Sequence, residues 1–148
     1  ALGSEGALIC APKVVTDFLV NRARPFIFST APSPLIAHMV RRALTLVAAH
    51  DDWRADLFAR VTQARDLLAQ RLGPVAHATQ ILPVIIGEDA RTMRIAAALQ
   101  RQGFDIRGIR PPTVPQGTAR LRISITRNVT NGDIGAMAES LDRIMIPA

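Results

Sequence analysis

The residues best suited to chemistry lie between Ile109 and Ile125, in the run I-R-P-P-T-V-P-Q-G-T-A-R-L-R-I-S-I. Pro111, Pro112 and Pro115 fix φ and remove three backbone donors, so Arg110 to Gly117 cannot be helical and reads as a stiffened loop. Gly117 lets the chain turn. From Ala119 the pattern alternates. Leu121, Ile123 and Ile125 share one face; Arg120, Arg122, Ser124 and Thr126 share the other, which describes a half-buried strand. A rigid loop feeding such a strand holds a guanidinium fork still, and a held fork grips a carboxylate or phosphate through two parallel hydrogen bonds. Taken alone, the pattern more readily describes an edge strand with solvated arginines.

Other familiar chemistries find no support. His38 and His50 fall in a helical stretch and His77 in a turn, at spacings that match no metal motif, which favours structural roles. Ser, His and Asp occur, but not as Gly-x-Ser-x-Gly. Gly3-Ser4-Glu5-Gly6 is too short for a phosphate loop. The single cysteine, Cys10, excludes an internal disulfide and suits a reducing cytoplasm.

The net charge of +6 invites a nucleic-acid partner. Against it, Lys13 is the only lysine, the arginines are spread along the chain, and aromatics are 4% with no tyrosine. That leaves no stacking platform for bases, so no nucleic-acid binding is expected. No apolar run is long enough to span a bilayer, so no membrane partner is expected either. Hydrophobic content of 49% with 20% charge over 148 residues describes a globular chain with a real core. The start has no basic n-region and no Met, so the chain is expected to begin within a longer protein, without a signal peptide.

Several elements must position the arginines. Gly3 to Gly6 predicts a turn and Ala7 to Cys10 a strand. Pro12 opens a helix bearing Val14, Val15, Phe18 and Leu19, which Pro25 ends. Phe26 to Phe28 is an apolar run leading to Ser29 and Thr30. From Leu35 to Leu72 the periodicity predicts one bent helix or two in series, with Asp51 or Asp52 capping the second and Gly73-Pro74 stopping it. Gln80 to Ile86 predicts a strand that Pro83 confines to an edge or a bulge. A helix capped by Asp89 and closed by Gly103 follows, then a strand over Phe104 to Ile109. After the arginine strand, Thr130 and Asp133 resemble a capping box for a last helix with Ile134, Met137, Leu141 and Ile144 on one face. The fold class is therefore α+β, with a small sheet covered by helices on one face.

The run R-P-P-T-V-P-x-G-T-x-R-L-R-I, long and gap-free, resembles the C-terminal signature of the α-oxoamine synthases. These pyridoxal-phosphate (PLP) enzymes of fold type I condense an amino acid with an acyl thioester. The Arg-Pro-Pro-Thr-Val-Pro form is closest to the biotin-pathway branch, which joins L-alanine to a pimeloyl thioester of coenzyme A or an acyl carrier protein. Siblings that use glycine, of the glycine C-acyltransferase or 5-aminolevulinate synthase type, are the near alternative. The resemblance covers essentially the whole chain. It implies residues 1–33 as the tail of the large PLP-binding domain, 34–72 as a long connector, and 73–148 as the C-terminal small domain of a cytoplasmic homodimer. Ala1-Leu2-Gly3 resembles the segment just after the family's Schiff-base lysine. That lysine is expected directly before Ala1, and Lys13 does not match it, so no catalytic residue is expected within the chain. The chain by itself would then serve as a dimerisation module, with apolar surface from Ala7 to Phe28 exposed. By the same resemblance Arg122 binds the amino-acid carboxylate, Thr113 lines the substrate entrance, and Ser29 and Thr30 reach the PLP phosphate; Arg120, two residues away on the same face, is left a supporting or structural role. Capping of the long helix is the other role open to Ser29 and Thr30.

Overall fold

The computed structural model describes residues 2–75 and 79–145, so His77 lies outside the described residues. The chain divides into two units, Ala1–Asp51 and Asp52–Ala148.

In the first unit, Pro12 precedes helix α1 (Lys13–Arg22). Pro25 does not merely stop that helix: it occupies the first turn of a short helix, α2 (Arg24–Ile27), where its missing N–H costs nothing. Ser33 caps α3 (Pro34–Ala49), its hydroxyl accepting from the Leu35 amide at 3.3 Å. The predicted strand over Ala7 to Cys10 is not formed; the segment is irregular. A strand needs a neighbour to take its N–H and C=O groups, and among the described residues of this unit none is a strand. No described residue of the unit is buried, and Leu8, Phe18, Phe26 and Phe28 are all more than half exposed.

The second unit holds the core. The helical stretch breaks at His50, and α4 (Asp51–Leu72) carries Val61, Ala64 and Leu68 into the core. Gly73 ends it at φ +84, a conformation only glycine takes without strain. Three strands follow: β1 (Ile81–Gly87), β2 (Arg107–Ile109) and β3 (Ala119–Ser124). They form an antiparallel sheet in the order β1-β3-β2. Pro83 therefore sits on an edge strand, as its missing donor requires, and a register shift lies between Ile85 and Gly87.

Helices α5 (Asp89–Arg101) and α6 (Asn131–Met145) follow β1 and β3. The cap of α5 is one residue earlier than the sequence suggests. The Glu88 carboxylate accepts from the Ala90 and Arg91 amides at 3.0 and 2.8 Å, so Asp89 is the first helical residue. The strand expected from Phe104 shrinks to Arg107–Ile109, because residues 104–106 are irregular and the Ile106 amide turns back to the Phe104 carbonyl. The capping box is reciprocal: the Thr130 amide donates to Asp133 at 2.8 Å and the Asp133 amide donates to the Thr130 hydroxyl at 3.1 Å. Leu82, Leu99, Leu121, Ile134 and Leu141 lie in one core with α4.

A polar cluster joins α4 to the turn before α6. Asp56 accepts from Arg60 at 3.1 Å and from Arg127 at 2.9 Å. Arg127 also stacks 5.0 Å from the centre of the Trp53 ring, and Arg60 donates to the Val129 carbonyl. Arg127 first, then Arg60, hold the Asp56 carboxyl below its ordinary value of 3.8. A carboxyl whose folded value is depressed stabilises fully above its unfolded value and loses that contribution as pH falls through the folded one. Stability should therefore drop below about pH 3.8, modestly, because the pair is partly exposed. Acid titration followed by circular dichroism should show a shallower drop for Asp56→Asn; an unchanged profile would remove this cluster from the acid response.

Candidate functional site

Cross-strand partners share a face of the sheet, so the register defines what surrounds each arginine. Pro83, Arg122 and Arg107 form one row; Ile85, Arg120 and Ile109 form the next. This face lies opposite the one that carries Leu82, Val84, Leu121 and Ile123 into the core. The arginines of the face differ in their partners. Arg120 is half-buried and donates to the Thr118 carbonyl at 3.0 Å. Arg107 pairs with Asp105 at 2.7 Å. Arg122 is exposed and has no hydrogen bond or ion pair among the described residues. Its backbone is fixed by ladders on both sides, to β1 and β2, while its guanidinium stays available. That combination suits capture of a carboxylate.

The proline loop is ordered by its own bonds. The Thr113 amide donates to the Arg110 carbonyl at 3.1 Å, the Thr118 hydroxyl donates to the Pro115 carbonyl at 2.6 Å, and Pro111-Pro112 is cis. Gly117 turns at φ +75, and its carbonyl lies 3.5 Å from where a Cβ on Gly87 would sit, so the loop's end meets the end of β1. Thr113 is exposed on this loop.

Ser29 and Thr30 lie in the first unit, both exposed. The Ser29 hydroxyl donates to the Phe26 carbonyl at 3.2 Å, closing α2. Capping of α3 falls to Ser33, so neither Ser29 nor Thr30 is occupied with that task. Lys13, the only lysine, pairs with Asp17 at 2.8 Å on α1. The Asp56–Arg60–Arg127–Trp53 cluster had no sequence signature, since Arg127 reaches Asp56 across 71 residues.

The family described as aminotransferase class I and II matches residues 1–141. The chain belongs to that family. It is 43% identical to the 8-amino-7-oxononanoate synthase of Ralstonia pickettii, covering 96% of this chain and 36% of that protein. The chain thus spans little more than a third of the length of that curated relative. In three dimensions it is similar to the 8-amino-7-oxononanoate synthase of Francisella tularensis, with a TM-score of 0.83 at 24% identity over 96% of this chain and 42% of the other. It is also similar to a structure of SPT with PLP, with a TM-score of 0.87 at 19% identity over 97% of this chain and 37% of the other. The fold is that of these enzymes, an α+β portion of a larger transferase architecture. Among the described residues no helix is long and apolar enough to cross a membrane.

Proposed function

We propose that the chain is the C-terminal part of an 8-amino-7-oxononanoate synthase, which condenses L-alanine with a pimeloyl thioester and releases CO2 and the free thiol carrier. The observation that carries this is Arg122: a guanidinium on the middle strand that is exposed and has no partner among the described residues, within the run R-P-P-T-V-P-x-G-T-x-R-L-R-I. Homodimerisation and a cytoplasmic setting belong to the same proposal and rest on the resemblance alone.

The cofactor is pyridoxal phosphate, which supplies the electron sink that weakens one bond at the amino-acid Cα. The chain's donors fit part of it. Thr30 is a compact hydroxyl donor suited to a phosphate oxygen, and Ser29 becomes one when its hydroxyl turns from the Phe26 carbonyl. Arg122 grips the substrate carboxylate and so fixes which bond at Cα faces the reaction. Thr113, on the ordered loop, lines the entrance. No residue of the chain matches the amine that would move the proton, because Lys13 sits in α1 beside Asp17. Here residues 1–33 end the large domain, 34–72 connect, and 73–148 form the small domain.

The test is an assay of the encoded protein with pimeloyl-coenzyme A and either L-alanine or glycine. A higher kcat/KM with alanine is expected. A clear preference for glycine would assign the chain to a sibling enzyme, and turnover of neither would overturn the function.

A further inference from the structure

The open face of the sheet carries a second guanidinium beside Arg122. Arg107 on β2 is its direct cross-strand partner, so the two Cβ atoms stand about 5 Å apart. Gly108 fixes which way β2 faces. A Cβ there would meet the Met93 Sδ at 2.8 Å, because that side of the strand packs against α5. Arg107 and Ile109, one residue to either side, therefore turn to the open face. Ile109 is half-buried and shares the next row with Ile85, which is 55% exposed. Apolar surface thus adjoins the two cations.

Arg107 is also oriented. Its Nε lies 2.7 Å from Asp105 Oδ1, and no other group among the described residues engages it. Pairing on the Nε side leaves the far edge of the planar fork, between the two Nη groups, free to donate. Asp105 offsets part of the repulsion between facing arginines and holds the fork as a supporting carboxylate holds a binding group.

We propose that Arg107 binds the free carboxylate at the far end of the acyl thioester and so selects an acyl chain that ends in a charge; the inference rests on the function proposed above. Pimelic acid has a carboxyl at each end, and the thioester uses one. Its methylenes call for apolar surface and its free end for a cation. Ile109 and Arg107 supply both in adjacent places, next to the arginine proposed for the amino acid. Arg120, the other arginine in these rows, is already turned to the Thr118 carbonyl. An acyl chain with a neutral end gains nothing from a guanidinium that must shed water to meet it.

The experiment compares the encoded protein with R107Q, using L-alanine with pimeloyl-coenzyme A or with octanoyl-coenzyme A, whose chain is of similar length and uncharged. The parent should prefer pimeloyl. In R107Q the ratio of kcat/KM for pimeloyl to that for octanoyl should fall about tenfold, the lower end for a charge-assisted hydrogen bond lost at an exposed site. The KM for alanine should stay unchanged, and R107K should recover part of the ratio. A parent without that preference overturns the proposal, as does an unchanged ratio or an equal fall with both thioesters. If the parent turns over neither thioester with alanine or glycine, the proposed function fails by itself. Calorimetry with free pimelate and free octanoate then tests Arg107 directly: pimelate binding that octanoate does not share and that R107Q weakens sustains the proposal, and equal or absent binding overturns it.

Discussion

Arg122→Ala in the encoded protein should raise the KM for the amino acid about 10- to 100-fold, with pyridoxal phosphate still bound. The size follows from the contact that is lost. A charge-assisted hydrogen bond contributes about 1.5–3 kcal/mol, and each 1.4 kcal/mol is about tenfold in affinity. The loss should be confined to the substrate carboxylate, because Arg122 holds no other group of the protein among the described residues. Arg122→Lys keeps the charge but not the fork, so it should fall between parent and alanine variant. Steady-state kinetics with the absorbance of bound cofactor measures both effects. Unchanged amino-acid kinetics would remove Arg122 from the site.

The neighbouring residue should behave in the opposite way. Leu121 is 0% exposed on the middle strand, opposite Val84 on one side and Gly108 on the other. Leu121→Ala leaves a cavity that the ladders on both sides prevent from closing, at a cost of about 2–5 kcal/mol. That is a large share of the roughly 5–15 kcal/mol that holds an ordinary domain folded. A large fall in the urea midpoint with an unchanged slope is expected. Arg122→Ala should shift the midpoint by no more than about 0.5 kcal/mol equivalent, as exposed substitutions do. Equal shifts for the two variants would mean that the faces of β3 have been assigned wrongly. One step along the strand thus separates a core position from an exposed one.

The alternation in β3 was legible because its two faces meet different surroundings, a core and an open side, and the side-chain period of a strand reports that difference directly. The capping box was legible because Thr130 and Asp133 satisfy each other locally. The cap of α5 was misplaced by one residue because glutamate is not a preferred cap, yet the Glu88 side chain reaches two amides. Ala7 to Cys10 has the composition of a strand, but strand formation depends on a neighbour that composition does not encode. Phe104 to Ile106 are apolar in part but follow the Gly103 turn, which delays pairing with β3 until Arg107. The exposure of Arg122 on the polar face of β3 followed from the alternation. The division of labour among arginines did not. Only the register shows that Arg107 faces the same side as Arg122, and only the contacts show that Arg120 is engaged with Thr118.

The proline loop has a thermodynamic consequence as well as a geometric one. Pro111, Pro112 and Pro115 restrict the unfolded chain, so less conformational entropy is lost there on folding. In the folded protein the bonds from Thr113 to Arg110 and from Thr118 to Pro115 leave the loop little freedom to surrender when a ligand arrives. On the role proposed for Arg122, a substrate that also touches this loop meets a small ordering cost, and more of its contact energy appears as affinity. A looser loop with identical contacts would bind more weakly.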